Sequence, residues 1–501
     1  MLAAVSLTAA CATTPVQGPA SSGPLRVATT PFTSLSTTGD AGQYLSVLGI
    51  AETLTRPTAD GFGLDMGMLA AATRTSPTVW DLALRPGVRF QNGAAVDAAA
   101  VVAALGADSA NAYSADDVNT GTLAVTGALS FTITSRNPAG NIPAQLSDPF
   151  AYPIFDVAAA QAAGSDPAAL VGRGIYTGPF APVALDPTGL EATPNPHYWD
   201  GPVALPGLDV RFVPDPQARV AAVQNGEVDI ALDPPAAAAG ALRGDPRAAF
   251  VTGPFAINGA WAAMNQNPGS VLADPAVRKA VRAGIDYQGL VAGLGTQTVA
   301  AAGMFAPGAS YAVDDQVFDP DRARALLDGA GWVPGPDGIR GKAGRRLAFD
   351  YLWSPSQGPV HGDLGLVLQQ QLREIGVDMQ VRQVESTFQP PDATSWGLSV
   401  IAYYSASANP HSQLAFLLES PFGNIGGIDD PLLTQLQSSL NAAPPAEQDP
   451  LLRRLQQVVA DNAYGVVLAH VAPTFVVSPA YRDYQPPGPL RYLGAALRPA
   501  A

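Results

Sequence analysis

Strand-like and helix-like stretches alternate along almost the whole chain, and this alternation restricts the fold more than any other feature. Leu25-Arg-Val-Ala-Thr-Thr30 reads as a short strand, and an amphipathic helix follows over about residues 42–54. Residues 81–84 and 130–134 read as strands and 96–105 as an Ala-rich helix. Residues 208–213 form a strand that leads into a helix over 216–225, and Gly226-Glu-Val-Asp-Ile230 turns into another strand. A helix over 319–330 has Pro320 in its first turn and stops at Gly331; a second, over 364–375, ends at Gly376 before a strand over 377–381. Such an order implies α/β lobes rather than a sandwich or a helical bundle. At 501 residues the chain exceeds the roughly 250–300 that one core usually holds, so two or more lobes are expected.

Composition removes several classes of function. A formal charge of -15 opposes binding to nucleic acid, whose phosphates want a basic footprint. The single cysteine, Cys11, leaves no intrachain disulfide, Cys-based metal site or later thiol nucleophile. Cys11 follows an apolar opening and the small residues Ala9 and Ala10, and precedes a flexible stretch, Gly18-Pro-Ala-Ser-Ser-Gly-Pro24. This is the pattern of a lipidated cysteine at the head of a tether. Residues 1–24 are therefore assigned to a lipoprotein signal and tether, with a basic segment expected upstream of Met1. Beyond Cys11 no apolar run approaches the ~20 residues of a membrane helix.

Enzyme signatures are missing: there is no G-x-S-x-G, H-E-x-x-H or Gly-Lys-Ser/Thr motif. Residues 61–67, rich in glycine, read as a loop. The four histidines, His197, His361, His411 and His470, lack paired metal spacing. The expectation is no catalysis, no cofactor and no bound metal.

Several strings, in order, resemble the extracellular solute-binding proteins of oligopeptide, dipeptide and nickel ABC importers. They are Glu52-Thr-Leu-Thr with Asp60-Gly61, then the run Trp80-Asp-Leu-Ala-Leu-Arg85-Pro-Gly87-Val-Arg-Phe90-Gln-Asn-Gly93. Thr177-Gly-Pro-Phe180, Asn195-Pro-His-Tyr198-Trp199, Gly226-Glu-Val-Asp229, Ala273-Asp-Pro-Ala-Val-Arg278 and the stretch from Phe318-Asp-Pro320 to Trp332 follow. The resemblance covers about residues 25–480. It implies a two-lobe fold of the type II periplasmic-binding-protein kind with an extra inserted subdomain. Lobe I would take residues 25–50, 172–252 and 475–501, the insert 51–171, and lobe II 253–474. Most matched residues are Gly, Pro and aromatics, which specify turns and packing, so Trp80, Arg85, Phe90, Tyr198 and Trp199 are assigned to the scaffold.

The implied function is a membrane-anchored binding lipoprotein on the outer face of the cytoplasmic membrane. As a monomer it would capture a peptide-like solute between two lobes for a permease and its ATPases. The alternatives are a metal chelate or other non-peptide solute, or a surface receptor that reuses the fold without transport. Peptide binders of this family place an Asp, four residues before a Pro, against the peptide ammonium; here that position is Ala406. Nickel-complex binders use an Arg in a stretch that matches Asp148-Pro-Phe-Ala-Tyr152, where none is present. The candidate ligand contacts are Tyr44, Tyr113, Trp353, Tyr404, Asn409 and His411, with Trp396 less secure. His411 is read as a turn residue rather than a metal ligand. Tyr403 and Tyr404 adjoin on a strand and must face opposite ways, so only Tyr404 is assigned to the cleft.

Overall fold

The computed structural model describes residues 23–500 apart from 33, 36–39, 109–116, 165–166, 254–257, 296, 356–357, 359, 405–409 and 421. Cys11, Tyr113 and Asn409 lie outside the described residues. Strand β1 (Leu25–Thr29) is followed by helix α1 (Asp40–Val47). The helix is shorter than its apolar pattern suggests. Gly49 turns the chain at φ 68°, and a Cβ there would sit 2.5 Å from the Leu493 carbonyl.

A four-stranded antiparallel sheet comes next, from β2 (Leu69–Ser76), β3 (Val79–Leu84), β4 (Thr122–Gly127) and β5 (Ser130–Thr134), in the order β2-β3-β5-β4. The stretch 61–67, expected as a loop, contains the short strand Leu64–Asp65, which pairs with Arg56–Pro57 in a small hairpin. The chain then returns through β6 (Phe180–Asp186), β7 (Gly189–Pro194), β8 (Leu208–Phe212), α2 (Pro216–Gln224), β9 (Ile230–Leu232) and β10 (Ala249–Thr252). Asp215 caps α2 by accepting from the Ala218 amide at 2.7 Å, and Pro216 fills its first turn.

A second large sheet uses β11 (Asn258–Met264), β12 (Thr298–Ala300), β13 (Ala348–Trp353), β14 (Asp378–Gln383), β15 (Trp396–Tyr404) and β16 (Gly465–Val471). Helix α3 (Val360–Glu374) joins β13 to β14, and α4 (Pro410–Leu418) follows β15. The last strand, β17 (Thr474–Val477), returns to the first sheet. The strand orders are β10-β17-β9-β1-β8-β7-β6 in the seven-stranded sheet and β12-β16-β11-β15-β13-β14 in the six-stranded one.

The inner strands of both large sheets are covered on two faces and read as nearly unbroken apolar runs, as in β9 and β16, whereas outer strands such as β7 and β14 alternate with exposed polar residues. In β15, Leu398 and Val400 join one core while Ile401 and Tyr403 join the other. The Tyr403 ring is seated because its cross-strand partner is Gly259; a Cβ there would lie 2.0 Å from the ring. The core beneath the other large sheet is continuous with the four-stranded sheet, through Trp80, Leu82, Phe131 and Ile133.

Candidate functional site

Strand direction decides where a ligand can meet this fold. β1 runs parallel to β8 and β9, and β10 shares their direction because both β9 and β10 are antiparallel to β17. In the other sheet β13 is parallel to β14 and β15, while β11 runs antiparallel to β15. The chain leaves the first sheet at Thr252 and enters the second at Asn258; it leaves the second at Val471 and re-enters the first at Thr474. These crossings lie side by side: Thr252 pairs with Thr474, Asn258 with Val471, and the Gly253 amide donates to the Pro473 carbonyl at 2.8 Å. Both crossings leave from the carboxyl-end edges of the parallel strands. The two sheets therefore turn those edges toward one hinge, and a crevice outside the carboxyl ends of α/β strands is where such folds take ligands.

On the seven-stranded side one buried guanidinium organises the edge. Arg219, on α2 and 4% exposed, donates to the carbonyls of Leu232 (2.9 Å), Asp233 (2.7 Å), Val213 (2.8 Å) and Pro214 (3.2 Å), and to Thr30 Oγ1 (3.5 Å). It thus ties together the residues that follow β1, β8 and β9. Burial lowers its pKa, with Asp233 and Asp215 opposing. Above the edge Tyr44 stacks on Phe32 at 5.0 Å and 12°, and Phe32 meets Phe212, the last residue of β8, edge-on at 4.9 Å. Tyr44 thus sits on this edge, half-buried, within electrostatic reach of Arg219.

On the six-stranded side the same edge carries Trp353 and Tyr404, the last residues of β13 and β15. Trp353 is half-buried, its ring against Gly362 of α3, where a Cβ would come within 2.8 Å. The backbone of Tyr404 pairs with Asn258 at the crossing; its side chain lies outside the described residues. His411 is half-buried in the first turn of α4, beyond the same edge.

Two aromatics belong to the core. Trp396 is 1% exposed and stands at the amino end of β15, eight positions from Tyr404, so it cannot line the hinge-side edge. Its assignment to the pocket is corrected. Tyr403 is buried and its hydroxyl donates to the Met304 carbonyl, as strand alternation requires. His361 and His470 are buried too, and burial pulls both imidazoles down to about 4. Sequence reading missed Arg219, Asp233, Phe32 and Phe212. For Phe32, Phe212 and Asp233 the usable signal was their position within a few residues of the carboxyl ends of β1, β8 and β9.

A second polar centre lies at the junction of the inserted sheet. Glu52 accepts from Tyr198 Oη and Trp199 Nε1, both at 2.8 Å, and Arg56 lies 3.7 Å away. Arg56 also pairs with Asp65 and Asp200 at 2.7 Å each and stacks over Trp199 at 5.3 Å. Gln91 Nε2 reaches the carbonyls of Ile50, Gly178 and Phe180, and Asn195 Nδ2 also reaches Gly178. Trp80 Nε1 bonds the Ala139 carbonyl at 2.8 Å, and Arg85 Nε the Gly67 carbonyl at 2.7 Å. Burial raises the Glu52 carboxyl, opposed by Arg56 and the two ring donors. These contacts knit distant strings of sequence together as scaffold. A crevice beside them is lined by Glu52, Arg56, Ser147, Trp199 and Arg491. Next to it Asp148 accepts from the Phe150 amide at 2.9 Å, and burial pushes its carboxyl up to about 6.

A profile of the bacterial extracellular solute-binding proteins, family 5 (middle region), matches residues 66–424. Protein XP55 of Streptomyces lividans is 27% identical over 300 residues, 57% of this chain and 53% of that protein. The oligopeptide-binding protein OppA of Mycobacterium tuberculosis is 28% identical over 336 residues, 62% of this chain and 54% of its own length. The chain thus spans about half the length of these curated relatives. NikA from Brucella suis, solved in complex with Fe(III)-EDTA, superposes with a TM-score of 0.81 at 19% identity over 95% of this chain and all of that one. That likeness shows the fold, a type II periplasmic-binding-protein architecture. With the profile covering most of its length, the chain belongs to the bacterial extracellular solute-binding proteins of family 5, which are transport binding proteins and not enzymes.

Proposed function

We propose that the chain captures a peptide-like solute between the facing sheet edges and delivers it to the permease and ATPase subunits of an ABC importer. In this reading residues 25–50, 172–252 and 475–501 form lobe I, 51–171 its insert and 253–474 lobe II. A lipid on Cys11 holds the monomer at the outer face of the cytoplasmic membrane. The observation that carries the reading is the paired crossing, 252–258 beside 471–474, with both carboxyl-end edges on the hinge side. Hinge bending there would bury a solute, and the solute would drive closure by preferring the closed state.

Tyr44, Trp353 and Tyr404 supply apolar contact with polar tips, suited to an amphipathic solute. Ala406, standing where peptide binders of the family carry an Asp, supports a second solute class, a metal chelate held through its organic shell. Native mass spectrometry of the gently purified chain, followed by denaturation, identifies the retained solute. Trp353→Ala and Tyr404→Ala are expected to weaken its rebinding tenfold or more while the fold persists. Unchanged rebinding in both would remove these residues from the site.

A further inference from the structure

One helix beside the six-stranded sheet is capped by residues that belong to the four-stranded one. Helix α5 (Pro431–Ala442) is followed after two residues by α6 (Pro445–Asn462). Their Leu433, Leu440, Leu452 and Leu455 share a core with Trp261 and Tyr403 of the six-stranded sheet. The last carbonyls of a helix need donors from beyond its own ladder. A left-handed glycine commonly turns the chain so that the next amides supply them. Helix α5 has no such ending. The Ala443 amide serves the Ser439 carbonyl, Pro444 and Pro445 carry no N–H, and no basic residue lies in the last turn.

The missing donors come from the four-stranded sheet. Arg74, on β2, donates from Nη1 to the Ala442 carbonyl at 3.0 Å and from Nη2 to the Pro77 carbonyl at 2.8 Å. The Gly140 amide donates to the Asn441 carbonyl at 2.5 Å. Arg74 thereby places a cation at a helix C-terminus, where the dipole favours one. Both donors are braced from behind. The Pro77 carbonyl that takes Arg74 also accepts the Ala139 amide at 2.9 Å, and the Ala139 carbonyl is fixed by Trp80 Nε1. Gly140 is buried, and a Cβ there would run into the Ala443 carbonyl, so the close approach requires glycine. Trp80 and Ala139 belong to one core, Leu440 to another. The contact therefore bridges two cores that the chain itself links at the crossings 252–258 and 471–474, and rotation about those crossings parts it.

We propose that Arg74 and Gly140 form a clasp that caps α5 from the opposite core in the closed molecule and lets go when it opens, so that its strength sets how long a solute stays enclosed. The clasp takes no part in recognising the solute; its effect on residence rests on the solute-binding reading. Two hydrogen bonds, one of them charge-assisted, bias a two-state equilibrium by about tenfold or more.

The test uses the full chain as purified, with amide exchange at Gly140 and small-angle scattering as readouts. The Gly140 amide of the wild type should be protected. Arg74→Ala should speed its exchange at least about tenfold and enlarge the radius of gyration. Gly140→Val should enlarge the radius likewise, and circular dichroism should stay unchanged in both. Arg74→Lys, which keeps one charged donor, should fall between Arg74→Ala and the wild type. Co-purified solute, followed by native mass spectrometry during dialysis, should leave Arg74→Ala and Gly140→Val at least about tenfold faster than it leaves the wild type. A freely exchanging Gly140 amide in the wild type, an unchanged radius in both variants, or solute lost from both at the wild-type rate overturns the clasp. A wild type that carries no solute from the cell, with Gly140 protected and the radius responding to the variants, fails the solute-binding reading and leaves the clasp standing.

Discussion

The junction around Glu52 and the edges around the hinge are built on opposite principles. At the junction the charged groups are crowded and paired: Glu52 takes two ring donors, and Arg56 takes two aspartates and an indole face. At the hinge, Arg219 is spent on backbone carbonyls, while the Asp233 side chain has no bonded partner among the described residues and Trp353 is half-open. The first arrangement fixes one geometry. The second leaves an aromatic ring partly open at a strand end. Four of the strings that resemble the family, those at Glu52, 80–93, 177–180 and 195–199, meet at the first, so shared sequence there encodes scaffold; in the proposed reading solute choice belongs to the second.

The largest expected effect breaks the junction. Glu52→Leu orphans the Tyr198 hydroxyl and the Trp199 indole N–H, two half-buried donors, and should cost about 2–4 kcal/mol in denaturant unfolding. The identity of any co-purified solute should not change; if it does, the junction is not merely scaffold.

Acid sensitivity sharpens the comparison next. His361 and His470 are held neutral, with pKa about 4 against 6.5 when unfolded. Between pH 6.5 and 4 the unfolded chain takes up protons that the folded chain refuses, so stability falls as pH drops, by up to ~3 kcal/mol for each. Asp148 and Asp315, pushed up to about 6, act with the opposite sign between about 6 and 3.8. Replacing both histidines by Gln should therefore reverse the slope of unfolding midpoint against pH between about 6 and 4. An unchanged slope would contradict the buried, neutral assignment.

The smallest effect is expected at His197, exposed beside Gly93. His197→Ala should shift stability by less than about 0.5 kcal/mol, although it lies within the same matched string as Tyr198 and Trp199. A loss like that of Glu52→Leu would extend the scaffold to this residue.

Much of the fold was legible because alternating strand and helix patterns with Gly and Pro stops are local signals. Pro216, Pro320 and Gly331 bound their helices about as read. The end of α1 was not local: it depends on Gly49 meeting Leu493, more than four hundred residues on. Trp353, expected to open a loop after a strand, and Tyr404, expected in the cleft by strand alternation and by resemblance, both end strands at the hinge-side edge. Trp396 was misplaced because an aromatic residue looks the same at either end of a strand. Arg219 left no trace in the pattern of side chains, since nearly all its partners are backbone carbonyls brought together only by the sheet.

Hydrogen–deuterium exchange on the chain, before and after its co-purified solute is stripped and restored, tests the central claim most directly. Restoring the solute should protect the amides of Val213, Asp215, Leu232, Asp233, Trp353, Ser354, Val471, Ala472 and Thr474, at the carboxyl-end edges and the crossing beside them. Protection confined to the Glu52 junction, or absent from both edges, would contradict the account.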